Sequence, residues 1–231
     1  MSPSIIDAHI HLWPKSAANA TSHGWMKSND HLAKQYSIEN YLVSAQSHQV
    51  NPNVKGFVYV ETDRRLEEAL QTNIAQYAAE PLEEIKFLRR IVEGRSAGRE
   101  GFDANHSVLL KGIVPWAPLH RPLHDLVWYM TIAKETAGPT TWERVKGFRY
   151  LLQGMKNRED FRRLLEPASS SFVEHLRFLG TRNLSFDVGV DQRQGGVWQL
   201  EYLAEAIELA HKDVKHEDKT IFILSKQNPS G

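Results

Sequence analysis

SIIDAHIHLWP, residues 4–14, sets three polar side chains into an otherwise apolar run. Successive side chains of a strand point to opposite faces. Ile6, Ala8, Ile10 and Leu12 therefore form one apolar side, and Asp7, His9 and His11 share the other. A face carrying an acid and two imidazoles is either wet or built for chemistry. The two histidines stand two residues apart at the strand end, ~6–7 Å along the chain, so both rings can reach one ion. Neutral imidazole is the common nitrogen ligand of zinc and related metals, which makes His9 and His11 candidate metal ligands.

Further short, β-branched runs follow at 54–61 (VKGFVYVE), 107–114 (SVLLKGIV), 145–149 (VKGFR), 184–190 (LSFDVGV) and 220–224 (TIFIL). Helical periodicity lies between them. Leu66, Ala69, Leu70, Asn73, Ile74 and Tyr77 follow a 3.6 repeat with one polar interruption. Pro81 opens a second helix carrying Leu82, Ile85, Leu88 and Val92, with Gly94 as its stop. Residues 122–135, 159–179 (broken at Pro167) and 198–211 read as further helices. Strands alternating with helices imply βαβ units and a parallel sheet. The Gly-Arg-rich stretch 94–101 and the polar stretch 13–31 read as surface loops, so a single domain over 1–231 is expected.

Parity selects among parallel architectures. In 54–61, Val54, Gly56, Val58 and Val60 face one way and Lys55, Phe57, Tyr59 and Glu61 the other. In 184–190, Leu184, Phe186, Val188 and Val190 oppose Ser185, Asp187 and Gly189, with Asp191 continuing the polar side. A doubly wound sheet buries both faces and is nearly apolar on each. One apolar and one mixed face, with charges at the strand ends, is the pattern of a TIM-like (β/α)8 barrel with its site at the mouth. The apolar sets Ile6/Ala8/Ile10 and Leu184/Phe186/Val188 are then expected against helices.

The charged strand ends are the candidate catalytic groups. Glu61 ends the second strand as a ligand, a base or a supporting carboxylate, while Asp63 reads as the cap of the following helix. Arg149 ends the fourth, where a guanidinium fork suits a carboxylate or carbonyl oxygen, or an acid on a neighbouring strand. Asp187 lies inside the fifth, where burial would demand a partner such as Arg149 or a metal. Trp13 and Trp116 stand near strand ends, as walls of a substrate pocket or as core. The other histidines read mostly as surface residues.

Composition narrows the partners. Lys+Arg and Asp+Glu are both 28, so no net field favours nucleic acid or anionic membrane. With no cysteine there is neither a disulfide framework nor thiolate chemistry. No apolar run is long enough to span a bilayer, so a soluble, cytoplasmic protein acting on a small molecule is expected.

IIDAHIHLWP, VKGFVYVETD, VKGFRYLLQ, LSFDVGV and TIFIL, in this order, resemble the amidohydrolase-related branch of the amidohydrolase superfamily. That branch includes sugar-lactone hydrolases of the L-rhamnono-γ-lactonase type. The resemblance implies a (β/α)8 barrel, an H-x-H at His9 and His11, and the strand-four arginine at Arg149. It also implies opening of a sugar lactone by water attack on the carbonyl, with one divalent metal (zinc or manganese) or none. The chain departs from the pattern after Leu224, where Ser225 and Lys226 replace the family's Asn-His. About six of the eight βα units are then expected, without the eighth-strand aspartate that serves the family as base. The alternatives are a truncated, inactive remnant that at most binds a ligand or self-associates through open sheet edges, and a decarboxylase of the same superfamily.

Overall fold

The computed structural model describes residues 4–47, 53–67, 73–190 and 195–224; Asp191, Ser225 and Lys226 lie outside them. The chain divides into two compact units, Met1–Pro115 with Thr131–Val145, and Trp116–Met130 with Lys146–Gly231. In chain order the elements are β1 (Ser4–Ile10), α1 (Ile38–Ser47), β2 (Asn53–Val60), α2 (Ile74–Tyr77), α3 (Ala79–Glu93) and β3 (Leu110–Val114). After these come α4 (Leu123–Ala137), α5 (Pro139–Trp142), β4 (Gly147–Leu151), α6 (Arg158–Leu165), α7 (Phe172–Gly180), β5 (Ser185–Gly189), α8 (Trp198–His211) and β6 (Phe222–Leu224). The described strands form two parallel sheets, ordered β1-β2-β3 in the first unit and β4-β5-β6 in the second. Parallel strands joined through helices are what the alternating periodicity implies.

In the first unit, α3 follows its sequence signals. Pro81 sits in the first turn, where its missing N–H costs nothing, and Leu82, Ile85, Leu88, Ile91 and Val92 are buried. Gly94 ends the helix at φ 66°, and a Cβ there would stand 2.8 Å from Ala104 Cα. Glycine alone meets both demands. Of the helix expected over 66–77, Leu66, Glu67 and Asn73 are not helical, α2 covers Ile74–Tyr77, and 68–72 lie outside the described residues. Arg64 instead turns inward to carboxylates of α3, and the Glu67 N–H donates to Tyr77 O at 3.1 Å. Asp63 is not a helix cap; it adopts a left-handed φ of 55°.

The parity reading of β1 and β2 needs correction. Asp7 pairs with Phe57 and Ile10 with Tyr59, so three steps along β1 match two along β2. This extra residue is a bulge, and it moves later side chains to the opposite face. Asp7 faces α1, accepting a hydrogen bond from Tyr41 Oη at 3.1 Å, and Ile10 and Leu12 join the core with Ile38, Phe87 and Leu88. Phe57 and Tyr59 lie in that same core, on the helix side rather than opposite it. Ile6 and Ala8 are exposed, Ile6 by 59%, because β1 is the outer strand of its sheet.

In the second unit, alternation holds. Phe148, Phe186 and Phe222 are in register across the sheet, and Phe172 of α7 meets Phe186 edge-on at 5.8 Å. Arg149, Asp187 and Ile223 are in register on the other face. The helical pattern over 159–179 is two helices, as Pro167 suggests. Asn157 caps α6 by accepting from the N–H of Glu159 and Asp160. Among the described residues no helix is long and apolar enough to cross a membrane.

Phe186→Ala should therefore cost ~3–5 kcal/mol, whereas Ile6→Ala should stay within about 0.5 kcal/mol of wild type. Urea midpoints of the two variants measure both; equal losses would contradict the assignment of Ile6 to the exposed face.

Candidate active site

In the first unit, His9 and His11 meet beyond the bulge. Their Nε2 atoms lie 3.2 Å apart, with ring centroids at 4.8 Å. His11 Nδ1 donates to Val60 O at 2.9 Å, which leaves Nε2 as the lone-pair nitrogen. Tethering the outer nitrogen to a carbonyl is how proteins orient a metal-binding imidazole. Two ligands at zinc's N distance, in tetrahedral geometry, stand about 3.3 Å apart, so the pair fits two positions of one ion. Among the described residues no group of three or more His, Asp or Glu side chains converges in this way, so Glu61 does not complete such a set.

Asp7, which shares the H-x-H stretch, is committed elsewhere. Its Oδ1 accepts the His9 N–H at 3.1 Å and its Oδ2 the Tyr41 hydroxyl. Burial, and then the Asp7 charge, push that phenol up to about 12. Glu61 is buried just past β2. Its backbone N–H donates to Val114 O at 3.0 Å, and its Oε2 accepts the Asp63 N–H at 2.5 Å. The left-handed turn at Asp63 is what allows this contact.

Trp13 packs into a small aromatic cluster, bridged to Tyr36 and donating from Nε1 to Lys34 O at 2.8 Å. His23 lies in the same region and is wholly buried, which overturns its reading as a surface residue. It belongs to a network with Tyr59, Thr62 and Glu84. The signal for this network is in the sequence: at helical spacing from Pro81 and Leu88, Glu84 occupies an apolar slot of α3.

In the second unit, Arg149 and Asp187 are register partners and an ion pair, Nε to Oδ1 at 3.3 Å, with side chains 8% and 2% exposed. The fifth-strand carboxylate thus has the partner that its burial demands. A Cβ on Gly189 would come within 3.2 Å of Arg149 Nε, so the glycine makes room for the guanidinium. Trp116 pairs with Arg149 through the backbone and meets Tyr129 edge-on at 5.2 Å. His120 stacks on Tyr150 at 5.0 Å, and His175 is wholly buried with Nδ1 donating to Leu119 O at 3.0 Å. His175 is therefore not a surface residue, and His120 is half-buried. Burial pushes both imidazoles down to about 4, helped at His120 by Arg121 and opposed at His175 by carbonyl hydrogen bonds.

The chain is 29% identical over 205 residues to L-rhamnono-γ-lactonase of the yeast Scheffersomyces stipitis, a match covering 88% of this chain and 56% of the relative. Its fold is similar to that of an amidohydrolase from Burkholderia multivorans. A crystal with bound HEPES gives a TM-score of 0.53 at 19% identity, over 87% of this chain and 52% of that one. A crystal with bound zinc gives 0.56 at 18%, over 95% and 56%. The chain resembles an amidohydrolase-related lactonase. It spans a little over half the length of the curated relative it matches, and no family model matches it.

Two outcomes follow from the second unit. Asp187→Ala strands the Arg149 guanidinium without this buried counter-charge and should cost ~3–5 kcal/mol in chemical denaturation. His120 and His175 stay neutral in the folded state down to about 4, whereas unfolded imidazoles protonate near 6.5. The unfolded chain binds more protons in that window, so these groups should erode stability as pH falls from 6.5 toward 4. Imidazole NMR of the folded protein should show neither ring titrating above pH 5.

Proposed function

We propose that the protein is a hydrolase of the amidohydrolase-related type that opens a sugar lactone by water attack on the carbonyl. The observation that carries this reading is the His9–His11 pair, preset at 3.2 Å with the outer His11 nitrogen tethered to Val60. His9 and His11 would hold a divalent ion. Such an ion supplies Lewis-acid polarisation of the carbonyl and a more acidic water. The zinc bound by the Burkholderia protein is consistent with this donor set.

The remaining roles fall to the chain's own side chains. Glu61, buried at the end of β2 and held by the Asp63 N–H, takes the proton of the attacking water. In the second unit, taken by itself, the Arg149 guanidinium is a cation held by Asp187, a group suited to a carboxylate or carbonyl oxygen. A lactone needs little help with its leaving group, since the alkoxide stays attached to the product. The reading treats residues 1–231 as one domain of (β/α)8 type, with a small molecule as substrate in a cytoplasmic setting.

Acid release from a panel of aldonolactones, with zinc or manganese added, tests the proposal. Wild type should turn over at least one lactone. Glu61→Gln should lose ~10²–10⁴-fold in kcat, and His9→Ala should lose both turnover and metal binding by calorimetry with an unchanged melting temperature. Turnover indifferent to both substitutions would refute these roles. Carbon dioxide released from a carboxylate panel, without lactone opening, would favour a decarboxylase.

A further inference from the structure

Arg64 follows the turn after β2 and sends its guanidinium into the first unit, where the side chain is only 2% exposed. Among the described residues its buried Nε has no hydrogen-bond partner. The nearest acceptors are carboxylates at the edge of reach: Glu84 Oε1 stands 3.5 Å from Nε, and Glu80 Oε2 3.5 Å from Nη1. Competition explains the long contact to Glu84. Three other donors crowd its Oε1: Tyr59 Oη at 2.7 Å, Thr62 Oγ1 at 2.5 Å and the Thr62 N–H at 3.0 Å. The Thr62 hydroxyl meets His23 Nε2 on its other side at 2.9 Å. A buried guanidinium is thus left wanting acceptors, which is costly unless something supplies them.

Beside Arg64 lies a cavity of about 210 Å³, walled by the loop after β1 and by α3. The Arg65 N–H donates to Ser22 O at 2.9 Å and ties that loop to the turn after β2. Ser16 and Ser22 bring hydroxyls to the wall, Glu80 and Glu83 bring carboxylates, and Phe87 brings an apolar ring. At ~30 Å³ per water the space takes about seven waters, or one molecule the size of a monosaccharide.

Charge selects the class of ligand. The ion pairs around the cavity join three cations, Arg64, Lys86 and Arg90, to four carboxylates, Glu80, Glu83, Glu84 and Glu100. An anion would satisfy the guanidinium but meet a surplus of negative charge at Glu80 and Glu83. An ammonium would suit those carboxylates but offers Arg64 no acceptor. A hydroxyl donates and accepts, and it adds no charge. We propose that this cavity binds a neutral polyhydroxy molecule of monosaccharide size. Arg64 donates to its oxygens, Glu80 and Glu83 accept from its hydroxyls, and Phe87 packs against its C–H face. Few polar groups placed around an apolar wall are what fix a small ligand's orientation. The site uses neither His9, His11 nor Glu61 and goes beyond the lactonase reading.

The test titrates 15N-labelled residues 1–231 with D-glucose, D-galactose and D-xylose, and with D-gluconate as the charged counterpart. At least one neutral sugar should shift the Arg64 Nε–H resonance, with a Kd on the order of millimolar. D-gluconate should bind at least ~10-fold more weakly, since like charge opposes it. Arg64→Gln should abolish binding by removing the fork. Ser16→Tyr plugs the cavity from an exposed loop position and keeps the guanidinium; it should also abolish binding, with an unchanged melting temperature. If Arg64→Gln does not fold, Ser16→Tyr decides. No shift with any of the three sugars would leave a cavity for water alone and overturn the proposal. Equal affinity for D-gluconate, or sugar binding that survives Ser16→Tyr, would overturn it as well. The titration contains no metal and no lactone, so its failure and failure of the lactonase reading are separate results.

Discussion

One extra residue in β1, between Asp7 and Ile10, sets the direction of the side chains that end this strand. The bulge is held by Asp7, whose carboxylate takes the His9 N–H two residues on and the Tyr41 hydroxyl from α1. Past it, Ile10 and Leu12 enter the core against Ile38 and Leu88, and His9 and His11 turn their rings toward each other. Without the bulge, strict alternation would place Asp7 beside the histidines, adding a charge to the pair. With it, the acid serves the helix layer and the two imidazoles face each other as nitrogen donors, a set that suits a borderline metal.

Each unit also buries a carboxylate near a strand end and compensates it differently. Asp187 has a register partner of opposite charge in Arg149, so two neighbouring strands supply both members of the pair. Glu84 reaches from a helix into the turn after β2, where hydroxyl and amide donors converge on one oxygen. Desolvation makes neither arrangement a large source of stability. What both provide is geometry: a rigid guanidinium on β4 and a defined turn after β2.

The candidate residues could be picked out because they sit at strand ends in a parallel α/β pattern. Asp187 announced its need for a partner by standing inside an apolar strand, and Arg149, named from the sequence as one candidate, is its register partner. The reading of β1 failed for a local reason: a bulge inserts one residue with no mark in composition, and parity arguments carry through it with the wrong sign. His23 and His175 were misread because an isolated histidine in a loop or helix has no periodicity to reveal its burial. Glu84 could have been found, as an acid occupying an apolar slot of an amphipathic helix.

By itself the sequence determined the alternation of parallel strands and helices, the stop at Gly94 and the presence of two histidines within reach of one ion. These depend on contacts within a few residues or on a repeat that local backbone geometry imposes. The tertiary structure alone decided that Asp7 leaves the histidine face, that Phe57 and Tyr59 turn to the helices, and that His23, Thr62 and Glu84 meet. Those outcomes depend on which groups lose water together. A pairing register, and a buried donor matched to a buried acceptor, exist only when segments distant in sequence close on the same space.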